Sequence, residues 1–250
     1  MPIAVSGGDT VFDRAIFQSE THGNPMAQRR PLQMEPVLDL PAAPVLLETL
    51  LYMDLIVHKP CVDLRDLAQV VLADMGATLQ ILRLAGREHG VSEDRPWRIE
   101  DCISHLGLDA CREAISTQTV VRGDHRQYAI SECWAHAREV AQYSRALANE
   151  IADVNPDEAY LAGLLHAIGF LPELLGWRES GVVDGALAGL RLAKRWSLPS
   201  CVVEFFSEVQ LTGYSTRWPG IVRKAHQNAK RPSMHCLFEQ TMRPQLHRHG

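Results

Sequence analysis

The sequence predicts an all-α protein, on three observations. Apolar residues recur at helical spacing in segment after segment, as in Leu64, Leu67, Ala68, Val71 and Leu72. No stretch alternates apolar and polar residues with the period of two that a half-buried strand requires. Helix-starting residues stand ahead of the apolar segments, among them Asp63 and the pair Asn155-Pro156.

The elements follow in order. Residues 1–35 are rich in turn formers and charges, with only Val11, Phe12, Ile16 and Phe17 apolar among them, and are expected to form a flexible arm. Pro41 and Pro44 stiffen the lead-in to a first helix over 45–57. Asp63 caps a second helix that runs to Ala73, and Gly76 falls at the break before a third over 77–85. Residues 86–96 read as a polar loop. Ile99 to Leu106 forms a short helix stopped by Gly107, and Asp109 starts another that runs to Val121. The charged connector 122–128, which contains Gly123, divides these short helices from longer ones. The longer set is expected over 131–152, 156–175, 184–196, 198–211 and 218–229, before a polar tail over 230–250.

Composition narrows the function. The chain has 250 residues, 46% of them hydrophobic and 22% charged, which suffices for a sizeable core. A net charge of −5 gives no general attraction to nucleic acid or to an anionic membrane. The apolar run over 45–57 is interrupted by Glu48 and Asp54 and is too short to span a bilayer. The N-terminus lacks the pattern of a secretory signal. Six cysteines without a CxxC pair indicate reduced, mostly buried thiols, so the expected compartment is the cytoplasm.

Chemistry-bearing residues concentrate in one region. Asn155, Pro156, Asp157 and Glu158 make a strong helix start, and the helical hairpin on either side brings His136 and His166 face to face. Metal-dependent hydrolases build sites in this way, but they need oxygen ligands too, and the residue after His166 is Ala167. Glu132, Glu139 and Glu208 are the available carboxylates, and the first two lie on neighbouring faces to His136. A second set, His226, His235, Cys236, His247 and His249, matches no zinc spacing and is expected to be a solvated tail. There is no Gly-rich phosphate loop and no GxSxG elbow. Trp134 and Trp196 are expected between helices. Trp97 and Trp218, each beside a proline, are expected to be partly exposed and are candidate partner contacts.

Residues 36–229 resemble the HD-related output domain, the HDOD family of bacterial signalling proteins. The resemblance rests on an ordered series: Leu40-Pro41 and Pro44; Asp66-Leu67-Ala68 with Leu72-Ala73-Asp74; Leu79 to Ala85; Ile103, Leu106 and Gly107; Trp134, His136 and Ala141; Gly163 to His166 with Ile168-Gly169; and Trp196 to Pro199. Several positions depart from the pattern. Met75 replaces the usual proline, Ala85-Gly86 replaces Asn-Ser, and Ala225-His226 stands where related domains often have Ala-Asp. Ala167 stands where catalytic HD phosphohydrolases have a metal-binding aspartate.

The resemblance implies a short-helix N-terminal bundle over 36–122 packed on a degenerate HD-like helical bundle over 123–229. It also implies a non-catalytic signalling module that binds a protein partner, or a nucleotide or other small ligand. On this reading His136 and His166 line a vestigial pocket, and no catalytic residue, metal ligand or cofactor is assigned. The alternative is a residual metal-dependent phosphohydrolase acting on a phosphomonoester or cyclic dinucleotide.

Overall fold

A computed structural model describes residues 43–59, 61–89, 97–118, 125–177, 184–212 and 216–229. All belong to one compact unit, Leu40–Gly250. The N-terminal arm, the Leu40-Pro41 lead-in and the tail residues His235, Cys236, His247 and His249 lie outside the described residues.

The all-α expectation holds, with eleven α-helices and one 3-10 turn among the described residues. Five short helices come first: α1 (Leu47–Val57), α2 (Leu64–Leu72), α3 (Met75–His89), α4 (Ile99–Leu106) and α5 (Leu108–Ser116). Then come α6 (His125–Ala148), α7 (Pro156–Leu165), a 3-10 turn over Ile168–Phe170, and α8 (Leu171–Leu174). The last three are α9 (Gly185–Arg195), α10 (Ser200–Thr212) and α11 (Arg217–Asn228). One buried apolar cluster runs through both sets, from Val45, Leu67 and Leu82 to Trp134, Leu164 and Phe205.

Capping follows the sequence closely. Asp63 accepts from the Arg65 N–H at 2.8 Å to open α2. Asn155 accepts from Asp157 N–H at 2.9 Å to open α7, with Pro156 in the first turn. Asp184 accepts from Ala186 N–H at 3.0 Å to open α9. Each bond satisfies one of the amide groups that a helix start leaves without an internal partner.

Several boundaries differ from expectation. Helix α3 begins at Met75 because Asp74 caps it, accepting from Gly76 N–H at 2.8 Å and Ala77 N–H at 3.2 Å. It then runs through Gly86 to His89, since one interior glycine costs a helix only about 1 kcal/mol. A Cβ at Gly86 would lie 2.7 Å from the Ser197 carbonyl oxygen, so this helix meets the Trp196–Leu198 corner only because no side chain intervenes. Helix α6 begins at His125, which turns the second half of the expected connector into helix. The helix expected over 156–175 breaks after Leu165. Pro172 has no N–H and its ring crowds the carbonyl four residues back, so a new helix starts around it instead.

The buried carboxylate of Asp74 joins the two sets of helices. One oxygen accepts from the Leu46 N–H at 2.8 Å, at the start of α1. The other caps α3 and also accepts from the Trp134 indole N–H at 2.9 Å, on α6. Burial pushes the Asp74 carboxyl above its usual value, while these hydrogen bonds pull it the other way. Further ties support the junction. The Tyr160 hydroxyl donates to the Leu72 carbonyl at 3.0 Å, and Asp157 pairs with Arg145 at 2.8 Å and Arg98 at 3.2 Å.

Replacing Asp74 by alanine strands four N–H donors, three of them buried, and the expected loss in stability is about 3–4 kcal/mol. Asp74→Asn keeps the oxygen that serves Gly76, Ala77 and Trp134, and is expected to lose less than half as much. Urea unfolding of the two variants checks the order. Equal losses would mean that the Trp134 and capping bonds contribute little.

Candidate functional site

The site is built from the α6–α7 hairpin and the last helix. His136 projects from the middle of α6, two residues beyond Trp134. His166 is the residue that ends α7, and its Nδ1 lies 2.6 Å from the Gly163 carbonyl oxygen. A carbonyl only accepts, so Nδ1 carries the proton and donates, and Nε2 presents a lone pair. The hairpin closes tightly at this level: a Cβ on Gly163 would sit 2.6 Å from Ser144 Oγ and 2.8 Å from Ala141 Cα.

A third histidine completes the cluster. His226 on α11 places its Nε2 3.0 Å from the Nε2 of His136. Ring centroids are 4.6 Å apart for His136 and His226, and 5.6 Å apart for each of these with His166. One ring nitrogen from each histidine falls within 4.8 Å of the other two. All three side chains are buried.

Electrostatics keep His166 neutral. Burial holds His166 well below the usual histidine value, and His136 and His226 beside it push the same way. The bond to Gly163 is the weaker, opposing influence. Ala167 is buried next to His166 and brings no carboxylate. Among the described residues the group of mutually close ligand atoms is made of the three histidines, and Glu132, Glu139 and Glu208 are not members of it.

The structure brings together both histidines chosen from the sequence, and it corrects the placement of a third. His226 does not belong with a solvated tail: α11 buries it against α6. The available sequence signal was Ala225-His226 at a position where related domains often carry Ala-Asp, which marked a site position rather than a tail. Trp218 is also corrected. It is buried, and its indole N–H donates to Glu204 Oε2 at 2.8 Å, because α11 turns this ring inward against α10. Trp97 is half-buried and packs against the core. Trp134 and Trp196 lie between helices as expected. The described cysteines are free thiols, and burial pushes Cys133 up to about 12 and, with a smaller push from Glu88, Cys111 to about 11.

Exposed apolar residues gather elsewhere, on α1. Leu47, Leu51, Tyr52 and Leu55 are each more than half exposed and recur at helical spacing along one side. Beside them is an open hollow of about 580 Å³ lined by Tyr52, Leu55, Ile56, Val70, Ala73 and Arg138. Among the described residues no single helix is long and apolar enough to cross a membrane.

The described residues form a helical bundle whose α6–α7 hairpin carries two inward histidines, His136 and His166. The family model of the HDOD domain matches residues 40–176, more than half of the chain, and the chain belongs to that family. The match includes His136 and His166 and stops before His226. A crystal structure of the MmoQ response regulator from Methylococcus capsulatus str. Bath is 19% identical and has a TM-score of 0.60. It covers 81% of this chain and 94% of that one. Its fragment 20-298 gives 18% identity and a TM-score of 0.54, over 80% and 91% of the two chains. These likenesses are of fold. An HDOD domain protein with unknown function from Geobacter sulfurreducens is 22% identical, with a TM-score of 0.33 over 79% of this chain and 74% of that one. No curated protein matches the chain.

Two outcomes follow from this geometry. Gly163→Ala forces a methyl into the α6–α7 contact, with an expected loss of about 1–3 kcal/mol measured by urea unfolding. The second concerns acid. Unfolded His166 takes up a proton near 6.5, whereas the folded residue does so only well below that. Its contribution is therefore intact above pH 6.5 and is lost as pH falls from there toward the folded value, at up to about 1.4 kcal/mol per pH unit. Unfolding free energies at a series of pH values are expected to show this slope in the wild type and a shallower one in His166→Gln.

Proposed function

We propose that this chain is a non-catalytic regulatory module of bacterial signal transduction, acting in the cytoplasm by binding a protein partner. The observation that carries the reading is the α1 face, where Leu47, Leu51, Tyr52 and Leu55 present a continuous apolar strip beside an open hollow. Single exposed leucines are ordinary on a protein surface, but a strip of four along one helix is a surface suited to a partner helix or groove. HDOD membership supports a signalling role, as does the shared fold with a response regulator.

The competing reading is a residual phosphohydrolase acting on a phosphomonoester or cyclic dinucleotide, and the convergence of three histidines is what favours it. Polarising a phosphate with a hard divalent ion calls for charged oxygen ligands, and the cluster holds only imidazoles. The weight therefore falls on the regulatory reading.

The two readings separate experimentally. A photo-crosslinking residue placed at Leu55 in the full chain, in its own host, is expected to give a discrete protein adduct. The same residue at exposed Glu150 should give none, and Leu51→Glu should abolish the Leu55 adduct without loss of helicity. Turnover of bis-(p-nitrophenyl) phosphate or a cyclic dinucleotide with manganese or iron, lost in His136→Ala, would overturn the regulatory reading in favour of the hydrolase.

A further inference from the structure

We propose that His136, His166 and His226 form a three-histidine site for one borderline divalent ion of the zinc class, and that the ion fastens α11 to the α6–α7 hairpin.

The geometry is close to that of a bound ion. A metal–nitrogen distance of about 2.0–2.1 Å places two ligands of a tetrahedral centre about 3.3 Å apart. The Nε2 atoms of His136 and His226 are already 3.0 Å apart, and one nitrogen of each of the three histidines lies within 4.8 Å of the others. Closing the set requires the His166 nitrogen to approach the other two by up to about 1.5 Å, which small rotations of the three side chains supply.

A second, independent feature prepares His166 as a ligand. Its Nδ1–H donates to the Gly163 carbonyl, which fixes the tautomer with the Nε2 lone pair available. An outer hydrogen bond from the second ring nitrogen to a backbone carbonyl is the usual support for a metal-bound imidazole. The carbonyl is free to accept because α7 ends here and has no further amide to offer it. Without an ion, one of His136 and His226 must carry a proton on Nε2 to bond the other. Binding moves that proton to the Nδ1 of the same ring, so both rings stay neutral and no net charge is created on the protein.

The donor set selects the ion. Three imidazoles without a carboxylate favour zinc, cobalt, nickel or copper over magnesium, calcium or manganese. Three protein ligands leave a fourth position for water. The buried rings leave the ion no direct path in, so it is expected to load slowly, or during folding. His226 also lies beyond the span of the family match, on the helix that completes the bundle. Occupancy is thus coupled to how firmly that last helix is docked.

Cobalt(II) is the probe, because a tetrahedral cobalt centre absorbs strongly in the visible. The full chain is refolded from urea with increasing cobalt. One equivalent is expected to bind with a tetrahedral spectrum, zinc is expected to displace it, and zinc is expected to slow hydrogen exchange within 217–228. Replacing His235, Cys236, His247 and His249 together by alanine should leave the spectrum unchanged. His226→Ala should weaken binding by at least about 100-fold, more than loss of an outer-shell partner does. His226→Gln serves the same purpose if the alanine variant fails to fold. The proposal is overturned if the refolded chain gives no tetrahedral spectrum, if the spectrum survives in folded His226 variants, or if it disappears with the tail substitutions. A bound ion without phosphoester turnover leaves the regulatory reading in place, and failure to bind overturns the metal site alone.

Discussion

The rest of the structure depends on one buried carboxylate. Asp74 receives the N–H that starts α1, two amides at the start of α3 and the indole of Trp134 on α6. Each donor is itself buried or at a helix end, so removing the acceptor would leave several polar groups unsatisfied at once. Burial works against the charged form of Asp74, yet four N–H groups converge on it. Buried polar networks of this kind are costly when incomplete and rigid when complete. The register of α6 against α1–α3 is fixed by that requirement. His136 lies two residues beyond Trp134, so the same bond sets the height at which the histidine faces α7.

Local signals made most of the fold legible in the sequence. Asp63, Asn155 and Asp184 each open the helix they precede, because a side-chain acceptor at that position satisfies amides that nothing else reaches. What stayed hidden was decided by distant contacts. Gly86 looks like a helix stop on its own; the helix passes through it, and Ser197, more than a hundred positions later, packs where a side chain would be. The run that began at Pro156 stops at Leu165, a local break in a strongly apolar stretch, and Pro172 falls in the first turn of the short helix that follows. Trp218 beside Pro219 suggested an exposed ring, but Glu204 supplies an acceptor that makes burial of the indole favourable.

The site was legible by two-thirds. His136 and His166 share a hairpin, and local helix rules suffice to place them together. His226 reaches them only through the packing of α11 on α6, a contact ninety positions away in sequence that no periodicity records. Its neighbours Lys224, Gln227 and Asn228 lie on the exposed side of α11, while His226 shares the buried side with Ile221, Val222 and Ala225.

The substitution at residue 167 changes what the pocket can be. An aspartate there would bring a charge into a buried site, tolerable only beside a metal or a cationic partner. Ala167 brings no charge, and its surroundings suit that: His166 is held neutral, the Gly163 bond fixes its tautomer, and the His136 and His226 Nε2 atoms lie 3.0 Å apart. Three neutral rings can be buried together where three imidazolium ions cannot. The cluster offers three imidazoles as its donor set, while Trp134, Gly163 and the Asn155 cap hold the scaffold around it.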